Sequence, residues 1–252
     1  MTAPRIVFLH IPKTAGQTIH FALARACGAQ AVSPVRVHSQ AAPGPAQLPP
    51  GYRVYSGHLD WEALDTVPAP RFVFTVLRDP LERIASFYFY LRREAAKLSP
   101  EELARPERTG MRMVRDCSVD AYFTGGDPGW QAFVRDHYQR TYCTYLVTRR
   151  MRGHRAVAGL SDDALLAQAV TAARALDGIY AVTDLGALER DLAARAGIRA
   201  ALAGTFANAA DAGQGESRWQ KLSALIERDE TRARLEDFAR CDRRLMQALG
   251  LG

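Results

Sequence analysis

Lysine is nearly absent from this basic chain. The 252 residues carry 33 lysines and arginines, and only three of these are lysine (Lys13, Lys97 and Lys221), which leaves 30 arginines. An ammonium group is a compact point charge, whereas a guanidinium is a planar fork, so the two are not interchangeable in binding sites. One of the three lysines, Lys13, lies in a turn-forming segment, which makes that segment a candidate anion site.

Cysteine is also scarce. Cys27, Cys117, Cys143 and Cys241 are widely spaced and form no CxxC pair. This pattern suits neither a disulfide scaffold nor a zinc site, so we expect reduced, mostly buried thiols. No convincing carboxylate or His/Cys ligand set is present either, and we predict no metal site.

Long apolar runs are missing. No segment approaches the roughly 18 uninterrupted apolar residues that a membrane span needs, and no apolar signal core precedes a first strand at Arg5. We therefore expect a cytoplasmic protein without a membrane span. A net charge of +6 suits an anionic ligand, but no basic run is interleaved with aromatic residues, so we predict no nucleic-acid partner.

Short apolar runs alternate with helical patterns along the chain. Runs of strand length cover residues 5–10, 53–56, 71–77 and 178–182, while the proline-rich stretch 33–51 reads as a loop, as does a Gly-rich stretch near Gly213 and Gly215. Strands that feed helices indicate parallel pairing. We predict a single domain over residues 1–252 with a P-loop-like α/β fold, a three-layer sandwich whose central, mainly parallel sheet is flanked by helices.

Two strands end in turns that open helices. The first turn follows residues 5–10 and contains Lys13, Thr14 and Gly16. Backbone N–H groups at a helix start lack intrahelical partners and favour anions. Taken alone, this turn has a less favoured alternative as one more tight connection.

The second turn begins at Arg78, directly after the run 71–77. Asp79 is placed as an N-cap, with Pro80 as the first helical residue and Glu82 three residues past the cap. Ser86 follows two turns into the helix. Because the carboxyl ends of parallel strands share one edge of a sheet, both turns should open there, as a ligand with two separated phosphates requires.

At these residues the chain resembles the sulfotransferases that use 3′-phosphoadenosine 5′-phosphosulfate (PAPS), and it is most similar to the Golgi-type carbohydrate branch that includes the uronyl 2-O-sulfotransferases. The likeness rests on residues 12–18 (PKTAGQT), on residues 78–88 (RDPLERIASFY) and on residues 55–59 (YSGHL). The first segment departs from the family pattern at Gln17, where a small hydroxyl residue is commoner.

The resemblance implies a site for the sulfate donor, whose product is 3′,5′-ADP. It assigns the 5′-phosphosulfate to Pro12, Lys13, Thr14, Ala15, Gly16, Gln17 and Thr18. It assigns the 3′-phosphate to Arg78 and Ser86, with no metal required. Arg83 is expected to brace its helix rather than touch the ligand.

The same resemblance makes His58 the candidate general base. An unperturbed imidazole titrates near neutrality, which suits proton removal from an acceptor hydroxyl. His10 is the rival, although a hydrogen bond that orders the first turn is the favoured role for it. Lys13 is expected to stabilise the leaving phosphate. The implied function is sulfuryl transfer to a hydroxyl of a saccharide or of a small molecule.

Two other functions stay open on the sequence. A nucleotide kinase or NTPase also joins a strand to a helix by a phosphate loop, but the pattern GxxxxGK[ST] is absent here. A non-catalytic anion-binding protein would exploit the net positive charge alone.

Overall fold

Four parallel strands form the sheet that positions the candidate site. The computed structural model describes residues 3–202 and 217–251, so the Gly-rich stretch near Gly213 and Gly215 lies outside the described residues. The strands are β1 (Arg5–Leu9), β2 (Val54–Gly57), β3 (Arg71–Leu77) and β4 (Gly178–Ala181). They are hydrogen-bonded in the order β2-β1-β3-β4, and all three pairings are parallel.

Helices connect and flank the strands. They are α1 (Gly16–Cys27), α2 (Pro80–Ala95), α3 (Pro100–Leu103), α4 (Thr109–Asp116), α5 (Val119–Thr124), α6 (Pro128–Tyr138), α7 (Thr141–Thr148), α8 (His154–Val157), α9 (Asp162–Arg174), α10 (Leu185–Ala196), α11 (Arg218–Ser223) and α12 (Asp229–Ala248). The predicted α/β fold, with a central parallel sheet flanked by helices, is confirmed.

Aspartate side chains cap the starts of two helices. The carboxylate of Asp79 accepts a hydrogen bond from the backbone N–H of Glu82 at 2.9 Å, and Asp184 caps α10 in the same way at Ala187. An acidic N-cap satisfies an orphan donor and complements the helix dipole, which is why these short polar residues begin the helices.

The described residues divide into two compact units. The first unit comprises residues 3–78, 142–202 and 244–251, and it contains the whole sheet. The second unit comprises residues 79–141 and 217–243 and is helical. The expectation of a single domain over residues 1–252 stays a prediction.

Alternate residues along each strand lie on opposite faces of the sheet, and the side chains on both faces are buried. One face carries Ile6, Phe8, Phe72 and Phe74, which pack with apolar residues of α1 and α10. Residues of the opposite parity, such as Val7, are buried as well. Burial on both faces explains why the strand segments read as nearly continuous apolar runs.

The second unit has an aromatic core. Tyr88, Tyr122, Phe123, Trp130 and Tyr138 are buried together, and the hydroxyls of Tyr122 and Tyr138 are 2.8 Å apart. Tyr88 is thus a core residue.

The stretch predicted as a loop is only partly one. Part of it follows the free edge of β2, where the N–H of Ser33 donates to the carbonyl of Val54, and Val37 forms an isolated parallel bridge with His58. Short 3₁₀ turns lie at His38–Gln40 and Pro45–Gln47. The edge of β2 is therefore covered by this segment, which local sequence pattern does not reveal.

Strand order places a switch point between β1 and β3. The chain leaves β1 toward β2 on one side, whereas β3 leads to β4 on the other. Ligands of open parallel sheets bind at the carboxyl edge where strand order reverses in this way.

Among the residues described, no helix is long and apolar enough to cross a bilayer.

Candidate active site

The turn between β1 and α1 has an unusual backbone. Lys13 and Ala15 have positive φ angles of 74° and 63°, although neither is glycine. Left-handed conformations are unfavourable for such residues and are found mainly where function requires them. Because Thr14 between them has no such angle, the turn alternates in handedness, the arrangement that makes backbone N–H groups converge on an anion.

The start of α1 offers open donors. Ala15 is the N-cap and provides no side-chain hydrogen bond to the helix. The early N–H groups of α1 therefore keep the free donor capacity and positive dipole end that attract phosphate or sulfate. Gln17 is exposed here, whereas Pro12, Lys13 and Thr18 are half-buried.

The hydroxyl of Thr14 is used within the turn, although its residue type suggests a contact with the ligand. It is completely buried, and its hydroxyl donates to the carbonyl of Ile11 at 2.9 Å. The hydroxyl thus closes the turn internally, so the contribution of Thr14 to a ligand falls to its backbone.

His10 packs under the turn. Its ring is buried, with its centroid 5.2 Å from that of Phe8 and 4.1 Å from that of His58. A β-carbon on Gly16 would lie 1.6 Å from His10 Nε2. Gly16 is therefore required because the imidazole occupies the space of its side chain.

His58 lies beside this turn and is held at both its backbone groups. Its N–H donates to the carbonyl of Arg36 at 2.8 Å, and its carbonyl accepts from the N–H of His38 at 2.7 Å. A β-carbon on Gly57 would lie 2.4 Å from the Arg36 carbonyl oxygen. Gly57 is thus needed for the close approach of Arg36 to β2.

The side chain of His58 has a defined tautomer. Its Nδ1–H donates to the carbonyl of His10 at 2.9 Å. In the neutral ring this leaves Nε2 as the atom with a free lone pair. An imidazole oriented in this way can accept a proton at Nε2.

Burial and neighbouring cations keep these histidines neutral. The pKa of His58 is lowered to about 4, chiefly by burial; the charges of Arg36, His38 and Lys13 add to the lowering, and the hydrogen bond to the His10 carbonyl opposes it. Burial also lowers the pKa of His10 well below its ordinary value, with His58, Arg36 and Lys13 adding to the effect. The charge of Lys13 thus contributes to the lowered pKa of both rings.

Arg36 adds a second cation that the sequence did not single out. Its Nε donates to the carbonyl of Ser56 at 2.6 Å, and its Nη1 contacts Nε2 of His20. Burial lowers the pKa of His20 to about 4, and the charge of Arg36 contributes. The edge of the sheet beside His58 is thus electropositive.

Arg78 follows β3 at the same carboxyl edge. It is half-buried, and the Tyr142 hydroxyl lies 2.8 Å from its carbonyl and 3.3 Å from its N–H. Because β1 and β3 are adjacent and parallel, Lys13 and Arg78 both follow strand ends at this edge.

Ser86 and Arg83 lie in the second unit, on α2. Both are buried, and the Arg83 guanidinium contacts the carbonyl of His137 and donates to the Thr141 hydroxyl at 2.7 Å. Arg83 therefore braces its helix, as the sequence indicates.

No metal site is found among residues 3–202 and 217–251: no group of three or more His, Cys, Asp or Glu side chains there could hold an ion.

Two buried residues that the sequence did not single out, Tyr142 and Tyr145, contact the connections that follow β3 and β2. Their apolar surroundings resemble ordinary core, and only the partners of their hydroxyls distinguish them.

Comparison with known proteins identifies the first part of the chain. Residues 2–150 match the family model of the sulfotransferase family, which is more than half of the 252 residues. The matched span includes β1 to β3, both turns and α7. A search of curated proteins finds no match.

Proposed function

The chain belongs to the sulfotransferase family, and on this premise we propose that it transfers the sulfuryl group of PAPS to an acceptor hydroxyl, leaving 3′,5′-ADP. The observation that carries the proposal is the oriented imidazole of His58, whose pKa is lowered, beside a turn with positive φ angles at Lys13 and Ala15. His58 and the turn at Lys13 share one edge of the sheet, and members of this family generally use PAPS.

The turn fits a 5′-phosphosulfate chemically. The alternating backbone of Lys13 and Ala15, the uncapped start of α1 and the Lys13 ammonium all favour a compact anion. Arg78 is proposed to bind the 3′-phosphate, since a guanidinium can hold two phosphate oxygens at once. Ser86, further along the chain, is the second residue that the resemblance assigns to this phosphate.

His58 is the proposed general base. Its Nε2 would take the proton of the acceptor hydroxyl as the acceptor oxygen bonds to sulfur and the bond from sulfur to the phosphate oxygen breaks. Lys13 would stabilise the negative charge that develops on that phosphate. A bound anion favours the protonated imidazole, so occupation of the turn would raise the pKa of His58 toward a value useful for a base.

The acceptor is proposed to be a hydroxyl-bearing saccharide or small molecule. The YSGHL segment (residues 55–59) supports an affinity with the uronyl 2-O-sulfotransferase branch, because it supplies His58 at the end of β2. The covered edge of β2, residues 32–38, lies next to His58 and would form part of the acceptor wall.

Calorimetry with 3′,5′-ADP, 5′-ADP and Mg·ATP, followed by labelled-sulfate transfer to a panel of hydroxylated acceptors, tests the function. We expect preference for 3′,5′-ADP with weak salt dependence, whereas a bulk polyanion binder would lose affinity steeply with salt. Magnesium-dependent ATP turnover without sulfate transfer would instead support the kinase or NTPase alternative.

The scarcity of lysine supplies a matched control. Lys13→Met should reduce transfer by about 10²- to 10³-fold, the cost of losing one preorganised charge contact. Lys97→Met should have no effect, because Lys97 is exposed and pairs with Glu94 at 3.0 Å in the second unit. Equal activity of the two variants would remove Lys13 from the mechanism.

A further inference from the structure

Helix α7 fastens the connections that follow two strands of the sheet. Tyr142 and Tyr145 lie three residues apart, on one face of the helix, and both are buried. Each uses its hydroxyl on a backbone group that follows a strand: Tyr142 at Arg78, after β3, and Tyr145 at Leu59, after β2.

The contact at Arg78 satisfies two backbone groups with one hydroxyl. The Tyr142 O–H donates to the Arg78 carbonyl at 2.8 Å, and its oxygen accepts from the Arg78 N–H at 3.3 Å. Residue 78 lies just beyond β3, where its backbone groups no longer belong to the strand. The tyrosine thus fixes the peptide from which the Arg78 side chain projects.

The contact at Leu59 belongs to a larger attachment. The Tyr145 O–H donates to the Leu59 carbonyl at 2.9 Å, and the Trp61 N–H donates to the Arg149 carbonyl at 2.8 Å. The Arg149 guanidinium lies 4.8 Å from the centre of the Trp61 ring. The residues that directly follow His58 are therefore fixed to the end of α7.

We propose that Tyr142 and Tyr145 are positioning residues, which set Arg78 for the 3′-phosphate and His58 for the acceptor on the two sides of the β1 turn. The inference rests on the proposed function. Neither hydroxyl is required to touch a substrate; each acts through the residue that it holds.

Removal of one hydroxyl at a time tests the inference. Tyr142→Phe should weaken 3′,5′-ADP binding by about three- to tenfold, the usual worth of one hydrogen bond. It should leave the affinity for 5′-AMP unchanged, because that nucleotide lacks the phosphate assigned to Arg78. Tyr145→Phe should leave both affinities unchanged and lower kcat by a similar factor.

Tyr55→Phe is the matched control. Tyr55 is buried in the same unit, and its hydroxyl also donates to a backbone carbonyl, that of Pro49, at 2.8 Å. A merely structural role for the α7 tyrosines would make all three variants lose thermal stability alike, without any change in nucleotide selectivity.

A coupling measurement excludes an indirect effect. In an Arg78→Ala background, Tyr142→Phe should not change the ratio of the two nucleotide affinities any further, because the group that it positions is gone. An additional, additive loss would overturn the inference even if the single variant behaves as expected.

The two proposals fail differently. If the unmodified chain does not distinguish 3′,5′-ADP from 5′-AMP, the proposed function is wrong, and the inference falls with it. If the unmodified chain distinguishes them and Tyr142→Phe keeps the same ratio, the inference is wrong while the proposed function stands.

Discussion

The imidazole of His10 fills the space in which a side chain at Gly16 would begin. A β-carbon there would lie 1.6 Å from Nε2 and 1.8 Å from Cε1 of the ring. The ring cannot move aside easily, since it is buried between Phe8 and His58. The end of β1 and the start of α1 are therefore locked together by shape.

Gly16→Ala should destabilise the chain by about 1–3 kcal/mol, the usual cost of overpacking a filled site. Urea denaturation measures the change. Gly16→Ala should cost far less in a His10→Ala background than in the parent, because the clash requires both groups. A Gly16→Ala variant as stable as the parent would contradict the packing of His10 against Gly16.

Ala15→Gly should stabilise the turn by about 1 kcal/mol, since φ of 63° is unfavourable for alanine and easy for glycine. Ala24→Gly, in the interior of helix α1, which this turn precedes, is the control and should destabilise the folded chain by a similar amount. The opposite signs, measured by thermal or urea unfolding, separate the backbone conformation of residue 15 from the general effect of glycine.

His58→Asn should lower sulfate transfer by about 10²- to 10⁴-fold, the range for loss of a general base. The asparagine amide can still donate toward the His10 carbonyl, so 3′,5′-ADP affinity should be retained. His154→Asn, at the start of α8, serves as the control. If transfer persists in His58→Asn and disappears in His10→Asn, His10 is the base.

Acid should destabilise the folded chain through His58. Its pKa is lowered to about 4 in the folded state, chiefly by burial, against about 6.5 in the unfolded chain, so the unfolded state binds more protons as pH falls. Stability from this residue is present above pH 6.5 and is lost as pH falls toward 4. Between pH 7 and pH 5 the loss should be about 2 kcal/mol.

Urea midpoints at the two pH values, compared for the parent and His58→Asn, isolate this contribution. The variant should lose about 2 kcal/mol less than the parent over the same interval. An identical pH dependence in both chains would mean that the imidazole of His58 is not buried in its neutral form.

Local pattern was sufficient for much of this fold. The apolar runs predicted β1 to β4 to within about two residues, and Asp79 predicted the start of α2, because strand burial and capping act over a few neighbouring residues. The two turns at one sheet edge followed from parallel pairing alone.

What the sequence analysis missed depends on distant partners. The path of residues 32–38 along β2 and the attachments of Tyr142 and Tyr145 are set by contacts between remote segments, which leave no periodic signal. The positive φ angles of Lys13 and Ala15 run against the preference of both residues, so propensity predicts the opposite. The internal hydrogen bond of Thr14 could not be predicted either, because a threonine hydroxyl can bind a ligand or close a turn.

The direction of β1 has a practical consequence for measurement. The strand enters the sheet at Arg5 and leaves it at Leu9, and five extended residues span about 17 Å. A surface linkage or fluorophore attached at Ala3 would sit on the rim facing away from the Lys13 turn. Biosensor or single-molecule assays anchored there would leave the opposite rim open to solution, so that nucleotide and acceptor could exchange freely on a tethered chain.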